Sequence, residues 1–586
     1  MNYFSDEKEW QWMFDHGINW DKIIPLFYPS FPTEDGIESR EELIAFLKEL
    51  LTQTGEWAGT SVLEKAQKID IEGAGKVVDG RTIPGETLSK FYQEATELGA
   101  FGLPLPAKFG GMGLPSLSLM ILLGQLSRSC LAQCTQLAFF TSIADMVHRF
   151  CDEEDQDRII PQIVEGKLSG SMCLTEPGSG SDLSKLKTSA TPTDDGMYLL
   201  NGNKIFITNG GGGICFVLAR IKGDTEGLDG ISMFLCEQDL GDGKNNYIVA
   251  KNEHKMGMHG TFTCELVFEN SKAKLVGERG KGFKYMLHLM NEARIAVGIQ
   301  GLGGIEGAIG YAVKYANERE QFDKPISELP LMKRNLQDFE VERDALRALL
   351  VDTISWYDIF QKLDLKKNQN GELNKEEAEL YKEASMWTRK RTPLVKYYAC
   401  EANVTLTQRA IQVLGGYGYM KEYPVERYHR DSFGPLLYEG TSQVQALMAL
   451  KDLVKFAMKD PKTFFAGIVS RSAPANLMSD AHECEKEFNS LQFTFKTKTL
   501  ALLAKCLKPG EIKEFFNLKA WMKEENVEGL MEHAETLCQA MSYLETLRVL
   551  AWHAKKDDSR KELFNNYKRL ITPRLEMIYS DWSLRS

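Results

Sequence analysis

From Ser39 to about Gly166, apolar residues recur three and four positions apart, as in LIAFLKELL and LSLMILLGQLSRSCL, which is the period of amphipathic or buried helices. Between Ser169 and about Gly277 the pattern changes to short runs rich in β-branched and aromatic residues: YLL, KIFIT, ICFVLARI, ISMFLC and CELVFEN, separated by turn residues. These predict a β layer. Within it, Asn201-Gly202 between YLL and KIFIT predicts a two-residue hairpin, because a type I′ turn needs positive φ at both central positions. Helical period returns from about Lys281 to Lys459 and persists through most of 461–586. A chain of 586 residues exceeds what one core can hold. The predicted class is α+β, mostly α, in four parts: a helical domain 1–168, a β domain 169–280, a helical bundle 281–460 and an additional helical extension 461–586.

Charge narrows the function classes. The net charge of −12 disfavours a protein that neutralises nucleic-acid phosphates, and the extension, with 19 basic against 17 acidic residues, is only weakly basic. The opening MNYFSDEKEWQW has acids where a secretory signal needs a basic start, and no apolar run is long enough for a membrane span. A cytoplasmic, bacterial-type location without a transmembrane segment is expected. Eleven cysteines without a C-x-x-C pair and nine scattered histidines predict reduced thiols and no metal site. A calcium-loop-like stretch from Lys366 to Glu377 has a cation at its first position and reads as a connection between helices. The glycines at 298, 301, 304, 307 and 310 lack dinucleotide-loop spacing and read as close helix packing.

Two stretches carry candidate chemistry. In CLTEPGSGSD, Gly178, Ser179, Gly180 and Ser181 form a turn whose bare amides and hydroxyls suit a phosphate or a polar ring edge. In LYEGTSQVQ, Ser442 and Gln445 make an S-x-x-Q capping box ahead of an apolar helix pattern, so Glu439 precedes a helix N-terminus, with Gly440 leaving space beside it. That arrangement suits a general base; its bland alternative is a simple cap.

Read in order, LTEPGSGSD, KIFITNG, NEREQF, LGGYGY and YEGT resemble the acyl-CoA dehydrogenase family from Glu41 to about Asp460. The resemblance implies that family's fold: an N-terminal helical domain, a middle β-barrel-like domain and a C-terminal four-helix bundle, here with the extension of the larger members. It implies FAD as cofactor, an acyl-CoA substrate, an electron-transfer flavoprotein as acceptor, a homodimer and a place in fatty acid β-oxidation. Leu174, Thr175, Gly180, Ser181, Phe206 and Thr208 are implied to surround the isoalloxazine ring, and Thr441 and Gln443 to continue that site. Arg319, Gln321 and Phe322, with Gln412, Gly415 and Gly416, are implied to reach the flavin of a neighbouring subunit. Glu439 is implied to remove the substrate α-proton while the β-hydride moves to flavin N5. Arg294 supports the catalytic loop, and Ser181, Tyr438 and Gly440 border the substrate. Some members carry the base on a helix, at the position of Ala293; Glu292 lies one residue too early. Asp323 stands where the family usually has glycine, and Met172 and Phe206 replace common aromatic residues. An acyl-CoA oxidase and a DNA-associated flavoprotein of the same fold are the alternative readings.

Overall fold

The computed structural model describes residues 1–33, 36–459, 481–506 and 524–585. Its amino-terminal part holds helices α1 (Lys8–Trp12), α2 (Trp20–Phe27), α3 (Arg40–Trp57), α4 (Leu63–Glu72), α5 (Glu86–Glu97), α6 (Ser116–Ser129), α7 (Leu131–Phe150) and α8 (Glu153–Val164). The cap of α3 is Ser39, whose hydroxyl accepts the Glu42 amide at 3.2 Å, and α8 begins on Asp152 in the same manner. Every residue of α6 is buried, in keeping with its nearly unbroken apolar run. A short hairpin, β1 (Gly75–Val78) and β2 (Arg81–Pro84), interrupts the helices and was not legible in the hydrophobic period.

The β layer contains β3 (Ser169–Cys173), β4 (Ser189–Pro192), β5 (Tyr198–Thr208), β6 (Gly213–Ile221), β7 (Ile231–Glu237), β8 (Ile248–Asn252) and β9 (Thr263–Val276). The order β4-β5-β9-β7 returns through β6 to β4, so the strands close on themselves; β3 runs parallel to β6 and β8 lies on β9. Closure satisfies strand edges that an open sheet would expose.

Asn201-Gly202 does not form the expected hairpin. Both residues lie inside β5, at a register shift against β9. Gly202 is required there by φ 153° and by contact, since a Cβ would sit 2.5 Å from Thr188 Oγ1. Asn201 exchanges bonds with Asn270 opposite. The long strand is paired with β9 on both sides of the bulge, and that tertiary pairing overrides the local turn preference.

The carboxy-terminal bundle comprises α9 (Gly282–Glu318), the small hairpin β10 (Glu320–Gln321) with β11 (Lys324–Pro325), then α10 (Pro330–Asn370), α11 (Lys375–Leu414), α12 (Val425–Leu437) and α13 (Ser442–Lys459). Glycines of α9 bring it close to helices on two sides: a Cβ at Gly301 would stand 2.9 Å from Ala399 O of α11, and one at Gly307 would stand 2.4 Å from Arg128 O of α6. The Lys366–Glu377 stretch is the α10–α11 connection: Asn374 and Glu377 cap α11 reciprocally, and Lys366 Nζ lies 2.6 Å from Glu377.

Beyond the bundle, the described extension is helical: α14 (Glu483–Cys506), α15 (Glu524–Met531), α16 (Ala534–Lys556) and α17 (Lys561–Arg585). The α16 helix is pinned to α11 by the buried Glu545, which accepts from Lys390 Nζ (2.8 Å), Arg391 Nε (3.0 Å) and Arg548 Nε (2.9 Å). The Arg391 and Arg548 guanidiniums each lie 4.6 Å from the Trp387 ring centroid. Among the described residues no helix is long and apolar enough to cross a membrane, and all eleven cysteines are free thiols.

Candidate active site

Glu439 stands in the four-residue link 438–441 between α12 and α13. It takes φ 58° and is followed by Gly440 at φ 92°. A left-handed conformation at a non-glycine residue costs roughly 1–3 kcal/mol and persists only where the surroundings hold it. Three helices do so. Arg294 Nε of α9 donates to Glu439 O at 3.2 Å, Gln445 Nε2 of α13 donates to Glu439 O at 3.0 Å, and Lys396 Nζ of α11 donates to Gly440 O at 2.8 Å and Leu436 O at 3.1 Å. Tyr438 is fixed separately, its hydroxyl donating to Gln300 Oε1 at 2.8 Å, while Gln300 Nε2 donates to Thr135 Oγ1 at 2.9 Å.

Two local expectations are corrected by this geometry. The S-x-x-Q capping box does not close: Ser442 Oγ donates to Glu401, Thr441 accepts the Val444 amide at 3.4 Å, and Gln445 turns back to the link. The two carbonyls left bare by the link outcompete the helix end for the Gln445 amide group. Nor does Gly440 leave open space. A Cβ there would meet Gln445 Nε2 at 2.8 Å and Val444 Cγ1 at 3.1 Å, so this glycine serves the backbone turn and its packing.

Burial pushes the Glu439 carboxyl up to about 7, against the pull of the Arg294 and Lys396 cations. Glu292, the neighbouring carboxylate considered as a substitute, is occupied elsewhere. It accepts from Tyr357 Oη at 2.9 Å and Gln361 Nε2 at 3.1 Å, both on α10.

The remaining sequence-selected residues fall into two groups on different elements. The first leaves β3 and returns on β5. Leu174 O accepts from Lys204 Nζ at 3.0 Å, and Thr175 O accepts from the Ile205 amide at 3.0 Å. Lys204 pairs with Glu176 at 2.8 Å with both side chains buried, and Glu176 also accepts the Lys187 and Thr188 amides. That buried pair ties the Gly180–Ser181 turn to the barrel wall; Gly180 and Ser181 themselves are exposed, and Thr208 is half-buried. Phe206 sits in a second register shift of β5, at φ 59°, and 61% of it is exposed. An aromatic ring held outward at a bulge offers a flat apolar face to a planar ligand.

The second group gathers around a surface cavity of about 500 Å³ lined by Arg319, Gln321, Gln412, Gly415 and Gly416 together with Tyr315, Tyr417 and Met420. The space next to the Cα of Gly415 and of Gly416 is open. Arg319 lies 6.0 Å over the Tyr417 ring. Phe322 and Asp323 both have positive φ, 56° and 61°, and make the tip of the β10–β11 hairpin, where Phe322 is 83% exposed. A cation, bare glycine backbone and amide side chains in an open cleft fit a phosphate-bearing ligand. Thr441 and Gln443 stand at the start of α13, Gln443 exposed.

Lys396, Gln300 and Lys204 are site residues that sequence reasoning missed. The available signal was a single lysine inside an otherwise apolar run, PLVKYYAC for Lys396 and NKIFIT for Lys204. Such a lysine, when buried, must find acceptors.

Three family models match the chain: Acyl-CoA dehydrogenase, N-terminal domain, over 48–167; middle domain, over 171–271; and C-terminal domain, over 280–454. The chain is 36% identical over 360 residues to an acyl-CoA dehydrogenase of Bacillus subtilis, covering 61% of this chain and 87% of that protein. It is 32% identical over 386 residues to the Caffeyl-CoA reductase-Etf complex subunit CarC of Acetobacterium woodii, covering 65% and 93%. The solved acyl-CoA dehydrogenase complexed with FAD from Bacillus anthracis superposes with a TM-score of 0.74 at 22% identity, over 95% of this chain and 91% of that one, so the likeness of fold extends into the carboxy-terminal helices. Fold and site thus define a flavin-dependent oxidoreductase. The chain belongs to the acyl-CoA dehydrogenase family, whose members use FAD.

Proposed function

We propose that this enzyme catalyses α,β-dehydrogenation of an acyl-CoA thioester to the trans-2-enoyl-CoA, with Glu439 as the base. The observation that carries the reading is the clamped Glu439 link. It places a half-buried carboxyl, raised to about 7, on a backbone turn that α9, α11 and α13 hold from three sides. A carboxylate at its ordinary pKa is a weak base toward a carbon acid; raising it improves the match while leaving a large ionised fraction at neutral pH.

When bound, FAD supplies the acceptor for the hydride equivalent that leaves the β-carbon. The chain supplies position and proton transfer. Glu439 takes the α-proton onto its carboxylate. Its main-chain N–H is the protein donor in this reading for the thioester oxygen, as charge builds there. Arg294, Lys396 and Gln445 keep the carbonyl side of the same link occupied, so that the carboxyl cannot swing by rotation of the link. Leu174, Thr175, Gly180, Ser181, Phe206, Thr208, Thr441 and Gln443 are proposed for the flavin side. Arg319, Gln321, Phe322, Gln412, Gly415 and Gly416 are proposed for the cofactor of a second subunit. The open cavity at the surface, with Phe322 and Tyr419 more than four-fifths exposed beside it, supports a homodimer. The four parts 1–168, 169–280, 281–460 and 461–586 are proposed as its domains, and an electron-transfer flavoprotein as acceptor, a reading that the likeness to a subunit of an Etf complex supports.

A carboxyl poised at about 7 is available in both protonation states near neutrality, which favours a second reading: reduction of an enoyl-CoA, with Glu439 returning the proton. Anaerobic titration with acyl-CoAs of graded length, following flavin absorbance, separates the two. Bleaching and turnover with a saturated subset support dehydrogenation. Re-oxidation of reduced enzyme by enoyl-CoA, with no bleaching by any saturated thioester, supports reduction. In either direction Glu439→Gln should retain FAD and lose nearly all turnover.

A further inference from the structure

Lys396 is wholly buried. Its ammonium donates to Leu436 O at 3.1 Å and Gly440 O at 2.8 Å, that is, to one carbonyl before the Glu439 link and one after it. Among the described residues no carboxylate lies within ion-pair distance of it, although buried lysines ordinarily find one. The charged and titratable groups that face it are Glu439 from the link, Arg294 from α9, and Cys400 and Glu401 from its own helix. Glu439 in turn faces two cations, Arg294 and Lys396.

These observations give one side chain two separable tasks. Arg294 grips the Glu439 carbonyl, and Gln445 the carbonyls of Glu439 and Gly440, but neither reaches back to α12. Lys396 does, tying the last turn of α12 to the glycine that completes the left-handed pair. Because its charge has no carboxylate in contact, its field falls on Glu439 undiminished by a closer anion.

We propose that Lys396 is a positioning residue for the reaction: it staples the Glu439 link across Leu436 and Gly440, and it presents an unpaired charge to the Glu439 carboxyl. The proposal rests on Glu439 being the base. It goes beyond that reading by assigning the acidity and the placement of that base to a third residue.

The test uses the FAD-loaded enzyme with the best-used member of a saturated acyl-CoA panel. Lys396→Met removes both tasks, Lys396→Gln keeps a donor without the charge, and Lys396→Arg keeps the charge with a longer donor; Glu439→Gln is the control. For Lys396→Met, kcat is expected to fall about a hundredfold, as for a misplaced catalytic group, with KM nearly unchanged. The acid limb of its kcat–pH profile is expected to move up by about one pH unit, because an attractive cation has been withdrawn from a carboxylate. Lys396→Gln should show the same displacement of the limb with a smaller loss of kcat. Lys396→Arg should leave the limb in place.

A residue that only fills space would give the opposite order, with methionine tolerated, the bulkier arginine harmful and the limb unmoved throughout; that result overturns the proposal. So does a loss confined to KM. If Lys396→Met does not retain FAD, the limb of Lys396→Gln decides: displaced, it sustains the assignment; unmoved, it ends it. An inactive Glu439→Gln beside an undisturbed Lys396 series rejects only the role of Lys396. An active Glu439→Gln rejects the underlying base assignment.

Discussion

Arg294 and Glu439, 145 positions apart, are joined by a hydrogen bond from the arginine Nε to the glutamate's own carbonyl at 3.2 Å. The cation therefore grips the backbone of the proposed base and leaves its carboxylate free to accept a proton. A direct ion pair would have fixed that carboxylate as the anion and made it a poorer base. Arg294→Lys keeps the charge but cannot reproduce the planar Nε–H at that position. It is expected to bind FAD normally and to lose about tenfold or more in kcat, read by steady-state turnover beside flavin absorbance.

The same enclosure fixes a pH dependence. The Glu439 carboxyl is raised to about 7, and the reaction needs its ionised form. Turnover in the dehydrogenation direction should be full above that pH and fall as the pH drops through about 7. A profile of kcat against pH with a dye acceptor reads this limb. A limb near the ordinary carboxylate range would mean that the carboxyl is solvated during catalysis and that burial does not raise it.

Lys204 and Glu176 make a buried pair that holds the loop carrying Gly180 and Ser181. Burial pushes the lysine pKa down, and Lys204 in turn pulls the Glu176 carboxyl down despite its own burial. Lys204→Met strands the carboxylate and is expected to cost about 3–5 kcal/mol of stability at neutral pH, with weakened FAD retention. Because the folded carboxyl is depressed, its contribution is present above the unfolded pKa and is lost as pH falls through the folded one. Denaturant unfolding at neutral and at acid pH should therefore show the penalty shrinking on the acid side. Adding Glu176→Leu to Lys204→Met should recover part of the loss; no recovery would argue against an ionic origin.

What the sequence made legible follows from how local each signal is. The helix and strand layers were readable because periods of 3.6 and 2 are carried by neighbours a few residues away. The α9 glycines were readable as packing because they repeat along one helix. Asn201-Gly202 failed as a hairpin because the partner of β5 is β9, 69 positions away at the Asn201–Asn270 contact, and no local rule registers it. Glu439 was selected through its motif, whereas Lys396 acts on its link from another helix, across 44 positions at the Gly440 contact. The S-x-x-Q pattern was a true local preference that a longer-range demand defeated.

The α9 glycines differ in what surrounds them, and this predicts opposite effects for one substitution. A Cβ at Gly307 would lie 2.4 Å from the Arg128 carbonyl and 2.6 Å from Tyr428, whereas at Gly310 its nearest atom would be an Arg128 guanidinium nitrogen at 4.0 Å. Gly307→Ala must push α6 away and should destabilise by about 1–3 kcal/mol. Gly310→Ala meets no obstacle and removes the helix penalty of glycine, so it should stabilise by up to about 1 kcal/mol. Thermal unfolding of the two variants against the parent checks the sign of each.

The extension is expected to stand or fall with Glu545. Its carboxylate, fully enclosed, is the common acceptor for Lys390 and Arg391 of α11 and Arg548 of α16, and these cations hold it well below the usual carboxylate range. Glu545→Gln removes one of the two anions of the buried Arg391, which keeps Asp352 of α10 at 2.5 Å beside Trp387. The half-exposed Lys390 adds little once solvent screens it, so the expected loss is that of one charged hydrogen bond to the arginine and amounts to about 1–3 kcal/mol. It should appear as faster proteolysis within α16 and α17 before the barrel is cut, since α16 loses its ionic attachment to α11 while the Lys204–Glu176 tie is untouched. The depressed carboxyl gives the same sign as before: the attachment is secure above the ordinary carboxylate pKa and weakens as acid titrates Glu545, so parent and variant should converge in protease sensitivity at low pH. Convergence would mark the attachment as ionic; a difference that persists at every pH would assign it to packing around Trp387.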